Sequence, residues 1–269
     1  MTQAVLPTKT VAKIWGRETL PAPFTAPAGE RIGEIWFDPP PALDRLLAKY
    51  LFTSDKLSVQ VHPRDEDLGG AGSGKEECWL VIAAEPGARL ALGFSAPVDP
   101  EQMRTAALDG SIEDLLDWRD VSAGEFFYIP AGTVHAIGAG LSLVEIQQNS
   151  EITYRLYDYG RPRALHLDEA IAVASGGVFD AGRYASTIAA DETRLLVDGP
   201  KFRLAQIAGY AEGAAAILGK FTGAAQLLPL SGSVRVADLT VEPGQSAWAS
   251  GFQDVTFASE GRCLIAAPL

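Results

Sequence analysis

The chain has 269 residues, of which 47% are hydrophobic and 21% charged, and its formal net charge is −12. This is globular composition, with length for one large domain or two modest ones and enough core to fold unaided. So acidic a chain excludes the basic surface that a nucleic-acid partner requires, and any anionic substrate has to be held by a few local Lys or Arg side chains.

Two cysteines, Cys78 and Cys263, lie far apart and outside any CxxC pattern. They provide neither a disulfide framework nor a thiolate metal knuckle. The N-terminal MTQAVLPTKTVAKIWGRE has no sustained apolar core behind a basic start. No stretch approaches the roughly 18 apolar residues that a spanning helix needs. A reducing cytoplasmic setting without a membrane partner is expected.

In chain order, short runs rich in β-branched and aromatic residues alternate with glycine and proline. RIGEIWF (31–37) reads as a strand, and ALDRLLAKYLF (42–52), with apolar residues at helical spacing, reads as a helix. KLSVQVH (56–62) and ECWLVIAA (77–84) are strands. DPEQMRTAALDG (99–110) opens with a capping Asp and a first-turn Pro and closes on Gly, which predicts a helix; SIEDLLDW (111–118) follows with Ser111 and Asp114 in a near capping box. EFFYIP (125–130) and LSLVEIQQ (141–148) return to strand, and LDEAIAVAS (167–175) is a fourth candidate helix. FRLAQIAG (202–209), SVRVADLTV (233–241), DVTFA (254–258) and CLIAAP (263–268) complete the strands. Many short strands between turn residues indicate a mostly β protein built as sandwiches or barrels.

The two halves resemble each other weakly. GEFFYIPAGTVHAI (124–137) can be laid over GQSAWASGFQDVTF (244–257), which places His135 opposite Val255. No histidine follows His166. The second half therefore reads as a structural copy without the chemistry.

The chemistry gathers in four stretches: LSVQVHP (57–63), GKEECWLVI (74–82), YIPAGTVHAIGAG (128–140) and EIQQNSEITYRLYDYGR (145–161). By two-residue alternation Gln60 and His62 share one face of a strand, and Lys75 shares a face with Glu77 while Glu76 and Cys78 take the other. Glu77 opens the next strand pair, and His135 arrives at the start of a third strand after tight Pro and Gly positions. Two imidazoles, a carboxylate and an amide suit Zn²⁺ and would also accept Mn²⁺, Fe²⁺ or Co²⁺, with one coordination position left open. Strand pairs with short loops, followed about sixty residues later by a second Pro-Gly-flanked histidine, are the pattern of a cupin, a small jelly-roll barrel with a metal at its mouth.

Together these four blocks resemble type I phosphomannose isomerase (mannose-6-phosphate isomerase) in its short bacterial form. The blocks follow that family's order over roughly residues 10 to 170, and beyond them the likeness is only cupin-like. The resemblance implies two cupin-type jelly-roll barrels with a few short helices: a catalytic domain over 1–165, with a helical insertion at about 99–118, and a cupin-like domain over 166–269 without metal ligands. It implies Gln60, His62, Glu77 and His135 as ligands of one divalent metal, foremost Zn²⁺. It implies Lys75 and Arg155 in the substrate pocket and in catalysis, Glu145 lining the site, and Ser58 as a pocket serine. The chain departs from the family where RDEDLGGAGSG replaces an acidic run after the proline, and where YDYGR stands for YDWGR.

The implied reaction interconverts mannose 6-phosphate and fructose 6-phosphate through an enediol. A proton α to a carbonyl has to move between C1 and C2, so developing negative charge needs a metal or a fixed cation beside the oxygen. Arg155 is such a cation. Glu145, Lys75 and a metal-bound water are the alternatives for the base. Lys75, Arg155, Arg161 and Arg163 are the cations available to the phosphate. The partner expected is a phosphorylated hexose, for a protein that is a monomer or homodimer. His166 is expected to precede and cap the following helix, and Cys78 and Trp79 to belong to the core. Three rival readings remain: an Fe²⁺ dioxygenase, a metal-binding cupin for another sugar phosphate, and a sugar-binding or regulatory cupin without turnover.

Overall fold

The strand-and-turn pattern folds into four antiparallel sheets stacked as layers, seen in a computed structural model that describes residues 3–209 and 213–269. The first strands are β1 (Gln3–Val5), β2 (Thr8–Arg17), β3 (Ile32–Phe37), β4 (Leu46–Phe52), β5 (Val59–Val61), β6 (Glu77–Ala84) and β7 (Arg89–Phe94). Helices α1 (Pro100–Asp109) and α2 (Ile112–Leu115) precede β8 (Leu116–Asp120), β9 (Glu125–Ile129), β10 (His135–Ile137), β11 (Leu141–Gln148) and β12 (Tyr154–Tyr157). Next come α3 (Leu167–Val173), α4 (Ala181–Tyr184), β13 (Ala185–Thr187), β14 (Arg194–Gly199), β15 (Phe202–Ala208) and α5 (Ala214–Leu218). The last strands are β16 (Ala225–Ser231), β17 (Val234–Val236), β18 (Leu239–Val241), β19 (Ala247–Ala249), β20 (Val255–Phe257) and β21 (Arg262–Pro268).

A five-stranded sheet, β12-β5-β10-β7-β8, faces a seven-stranded one, β13-β9-β6-β11-β4-β3-β2. Trp15, Leu51, Trp79, Val81, Leu92, Phe127 and Leu143 fill the space between them. The outer face of the five-stranded sheet is covered by the helices, where Val61, Phe94, Met103, Ala106, Leu156 and Ala170 meet. The second half repeats the plan with a six-stranded sheet, β1-β19-β16-β21-β15-β14, and a three-stranded one, β18-β17-β20. The halves are laced together, because β1 pairs with β19 and β13 pairs with β9. The seven- and six-stranded sheets also pack face to face, joining Phe37, Tyr50, Phe52, Leu80 and Ile146 to Phe202, Leu204, Leu228 and Leu264.

This layering explains where sequence reading and structure differ. Residues 42–52 are not a helix: a 3₁₀ turn at Pro41–Leu43 leads into β4, whose seven residues are all buried. Leu46, Ala48, Tyr50 and Phe52 face the second half while Leu51 faces the sheet interior. With both faces buried the period of two disappears, and the run imitates a helix. At 111–118 the helix stops at Leu115 and the chain pairs with β7 as β8. Ser111 makes no side-chain cap there. The run 233–241 is a hairpin of β17 and β18, broken at Ala237, which adopts a φ of 50°.

Other expectations hold. Asp99 caps α1 by accepting from the Gln102 N–H at 2.8 Å, Pro100 opens it, and left-handed Gly110 ends it. Leu167–Val173 is helical. The internal likeness is also structural: Gly124 and Gly244 both take left-handed φ values, of 92° and 85°, and His135 and Val255 each begin the strand that follows. Among the described residues no helix is long and apolar enough to cross a membrane.

Phe52 sits fully buried between the halves, its ring 5.3 Å from that of Phe24. Phe52→Ala is expected to destabilise the fold by about 3–5 kcal/mol, read by chemical denaturation. A loss below about 1 kcal/mol would contradict the packing between the two large sheets.

Candidate metal centre and substrate pocket

Antiparallel pairing brings the four stretches to one end of the first sheet pair. His135 lies opposite Gln60, and Arg155 lies opposite Gln60 on its other side, so β10, β5 and β12 present these residues side by side. His62 follows β5, and Glu77 begins β6 on the face that carries Trp79 into the interior. Glu145, on β11, pairs with both Trp79 and Lys49.

His62, Glu77 and His135 are all buried, and their ligand atoms lie within 4.8 Å of one another. The His62 Nδ1–H donates to the carbonyl oxygen of Ile152 at 2.9 Å, and the His135 Nδ1–H donates to that of Thr133 at 2.8 Å. A carbonyl can only accept, so each ring keeps its proton on Nδ1 and turns an Nε2 lone pair inward. Burial, followed by the Lys75 charge, pushes His62 well below its ordinary range, and burial lowers His135 as well. Both stay neutral, the state a metal ligand requires. Burial alone would raise the Glu77 carboxyl, but the charges of Lys75 and Lys49 hold it below the usual carboxylate range.

The result is a convergence of acceptors. Glu77 Oε2 lies 3.5 Å from His62 Nε2, and Glu77 Oε1 lies 3.5 Å from His135 Nε2. Among the described residues Glu77 Oε1 has no hydrogen-bond partner although it is buried. Lys75 Nζ meets Glu77 Oε2 and His62 Nε2 and the Gln60 amide meets His135 Nε2, which leaves Glu77 Oε1 as the buried acceptor that calls for a cation. Two N or O ligands held at about 2.1 Å from a tetrahedral ion would be roughly 3.4 Å apart, which matches these separations. The donor set fits a divalent metal.

Gln60 completes the ring of side chains. Its Nε2 stands 3.2 Å from His135 Nε2, and its Oε1 accepts from Ser58 Oγ at 3.2 Å. The two ends of an amide are interchangeable by rotation. Turned over, Gln60 offers Oε1 to the cation and its NH₂ to the Ser58 hydroxyl. Lys75 Nζ lies 3.1 Å from His62 Nε2, makes a close ion pair with Glu77, and stands 3.7 Å from Glu145.

Beside the ligand atoms a cavity of about 270 Å³ is lined by Ser58, Gln60, Lys75, Glu145 and Arg155. Lys13, Lys49 and Arg163 line it too, so five cations face three carboxylates, those of Glu34, Glu145 and Glu151. In a chain of net charge −12 this is a local reversal of sign. Lys49 stands on β4, whose run of apolar residues has the spacing of a helix in the sequence. It is buried, donates to Glu145 Oε1 at 2.9 Å and sits 4.8 Å over the Trp36 ring. Burial would lower its pKa, yet Glu145 and Glu34 raise it, so Lys49 is a fixed cation.

Arg155 lines the cavity and donates through Nη1 to the Ala164 carbonyl at 3.1 Å. Its backbone is pinned by His166, whose Nδ1 accepts from the Arg155 N–H at 3.2 Å and whose N–H donates to the Arg155 carbonyl at 2.8 Å. His166 does precede α3, but its side chain makes no cap. Arg161 does not line the cavity: it binds Asp158 and the Lys56 carbonyl. Arg163 lines the cavity while gripping Asp158 with two hydrogen bonds of 2.5 and 2.6 Å. Cys78 faces the other way, into the layer between the halves, and burial pushes its thiol well above the usual range.

Comparison with known proteins agrees with the resemblance seen in the sequence. The chain is 42% identical over 166 residues to the mannose-6-phosphate isomerase of Streptococcus mutans, covering 58% of this chain and 52% of that protein. It is 44% identical over 137 residues to a mannose-6-phosphate isomerase of Bacillus subtilis, covering 48% of this chain and 43% of that one. The chain thus spans about half the length of the curated relatives it matches. Its fold is that of the crystal structure of a mannose 6-phosphate isomerase from Bacillus subtilis, with a TM-score of 0.78, 24% identity and 99% of both chains covered. A zinc-bound mannose 6-phosphate isomerase structure aligns with a TM-score of 0.69 at 15% identity over the whole of both chains. No protein-family model matches the chain.

The protein is expected to bind one equivalent of divalent metal. His62→Ala and Glu77→Gln should each weaken metal binding by roughly tenfold or more, as elemental analysis after dialysis against a metal buffer would show. A full equivalent retained by both variants would contradict the site.

Proposed function

We propose that the chain is a metal-dependent aldose–ketose isomerase that interconverts mannose 6-phosphate and fructose 6-phosphate through an enediol intermediate. The observation that carries this reading is the buried cluster of His62, Glu77 and His135, joined through Gln60 and Lys75 to a cation-lined cavity in an acidic protein. The likeness to mannose-6-phosphate isomerases supports the choice of substrate. Zinc is the metal proposed, since the donors are two imidazoles, a carboxylate and an amide and one structural relative is zinc-bound. Gln60, His62, Glu77 and His135 would hold it. When bound, it supplies a Lewis acid beside the substrate oxygens.

The remaining work falls to this chain's own side chains. From aldose to ketose, a proton leaves C2 and one arrives at C1, while the O2 hydroxyl proton is lost and O1 gains one. Glu145, the wall carboxylate that stands beside Lys75, takes and returns the carbon-bound proton. Lys75, 3.7 Å from Glu145 Oε1, lies where it can exchange the oxygen-bound proton. Lys49 remains an ammonium throughout and offsets the negative charge that develops on the enediol oxygens. Arg155, with Arg163 beside it, presents a cationic wall to the phosphate, and Ser58 donates to a sugar hydroxyl. In this reading residues 1–165 carry the chemistry and 166–269 carry no ligand. A reducing cytoplasm suits such an enzyme, with both buried cysteines kept as thiols.

A coupled assay starting from mannose 6-phosphate and following fructose 6-phosphate tests the reading. Turnover is expected, abolished by EDTA and restored by Zn²⁺ or Mn²⁺. Metal-loaded protein that gives no product would overturn it, and a sugar-phosphate-dependent melting shift in that protein would mark a binding module. Arg155→Ala should keep the metal and lower kcat/KM by about 10²–10³-fold. An unchanged rate would remove Arg155 from the mechanism.

A further inference from the structure

The Lys75 side chain can act only if the short segment carrying it is held still, and that segment leaves a loop rather than the middle of a strand. Three successive backbone N–H groups fix it. Gly74 N–H donates to Asp65 Oδ1 at 2.6 Å, Lys75 N–H to the Pro63 carbonyl at 3.0 Å, and Glu76 N–H to Gln148 Oε1 at 2.9 Å. The same Asp65 Oδ1 accepts from Gln148 Nε2 at 3.0 Å, so one carboxylate oxygen orders two of the three anchors. At Gly74 the fit is tight: a Cβ there would stand 2.6 Å from Asp65 N and 2.7 Å from the Pro63 oxygen.

The other oxygen of Asp65 is held from the far half of the chain. Lys201 Nζ reaches Asp65 Oδ2 at 2.6 Å, from the turn between β14 and β15. The Lys201 carbonyl accepts from the Leu269 N–H at 3.0 Å, which ties that turn to the end of the chain. Next to it, Phe202 is buried against the ring of Tyr128, whose hydroxyl donates to the Glu76 carboxylate. The second half thus reaches the 74–77 segment through two relays, by way of Asp65 to Gly74 and by way of Tyr128 to Glu76, on either side of Lys75.

We propose that Lys201 is a positioning residue: through Asp65 it sets the place of Lys75 and the start of β6 in the pocket, so that the second half, which has no ligand of its own, tunes turnover. The inference rests on the isomerase reading and deepens it. The Lys201–Asp65 pair is only partly buried, with side-chain exposures of 24% and 37%. Such pairs add little to global stability. Its effect is therefore expected in the geometry of Lys75, where a displacement of about 1 Å can cost on the order of 10²-fold in rate.

The test compares Lys201→Met, Asp65→Asn and Lys201→Arg with the full-length, metal-loaded protein. Lys201→Met and Asp65→Asn are each expected to lower kcat by roughly tenfold or more while metal content and KM stay at wild-type values and the melting temperature moves by no more than a few degrees. Lys201→Arg, which keeps the charge and reach, should return kcat to near wild type. Wild-type turnover in Lys201→Met would overturn this inference alone. So would a rate loss that tracks lost metal or a large melting shift, or one that Lys201→Arg fails to rescue. A wild-type protein without any isomerase turnover would overturn the functional reading and this inference with it.

Discussion

A carboxylate buried to 1% exposure, with two neutral imidazole nitrogens aimed at its oxygens, is the constraint around which the site is organised. Removed from water and faced by acceptors, Glu77 has to be met by positive charge. The chain supplies Lys75 and Lys49 close by, and the imidazole tautomers are fixed by two carbonyls so that lone pairs, not protons, point inward. A divalent cation resolves the remaining conflict. Lys75 and Lys49 belong to the positive wall of the neighbouring cavity as well.

The layered sheets provide the rigidity this arrangement depends on. Gln60, Glu77, His135, Glu145 and Arg155 leave strands, and β6 turns Glu77 and Trp79 inward and Cys78 and Leu80 toward the second half. Burying both faces of the seven-stranded sheet makes it stiff and places Glu77 on a fixed element rather than on a loop. The second half contributes apolar mass through Phe202 and Leu204 and an ion pair to the loop before β6 through Lys201.

Much of the site was legible in the sequence, because alternation places Gln60 with His62 and Glu77 with Lys75 without any knowledge of the fold, and glycine and proline mark where His135 begins its strand. The rest was hidden for physical reasons. Lys49 lies in a strand buried on both faces, whose apolar residues have no visible period of two. Lys13 and Trp36 enter the cavity only through the pairing of β2, β3 and β4. The work of His166 on the Arg155 backbone, and the reach of Lys201 to Asp65, are contacts across the fold that no local pattern announces. The fold class was visible in the spacing of turn residues, whereas the exchange of β1 and β13 between sheets was not.

Anomalous diffraction from crystals of the zinc-loaded protein tests the central claim most directly. The account predicts a single strong peak within coordination distance of His62 Nε2, His135 Nε2 and a Glu77 oxygen, with the Gln60 amide turned to offer Oε1 and Lys75 Nζ withdrawn from the His62 ring. No peak at that position, with Lys75 still held on Glu77 and His62, would contradict it.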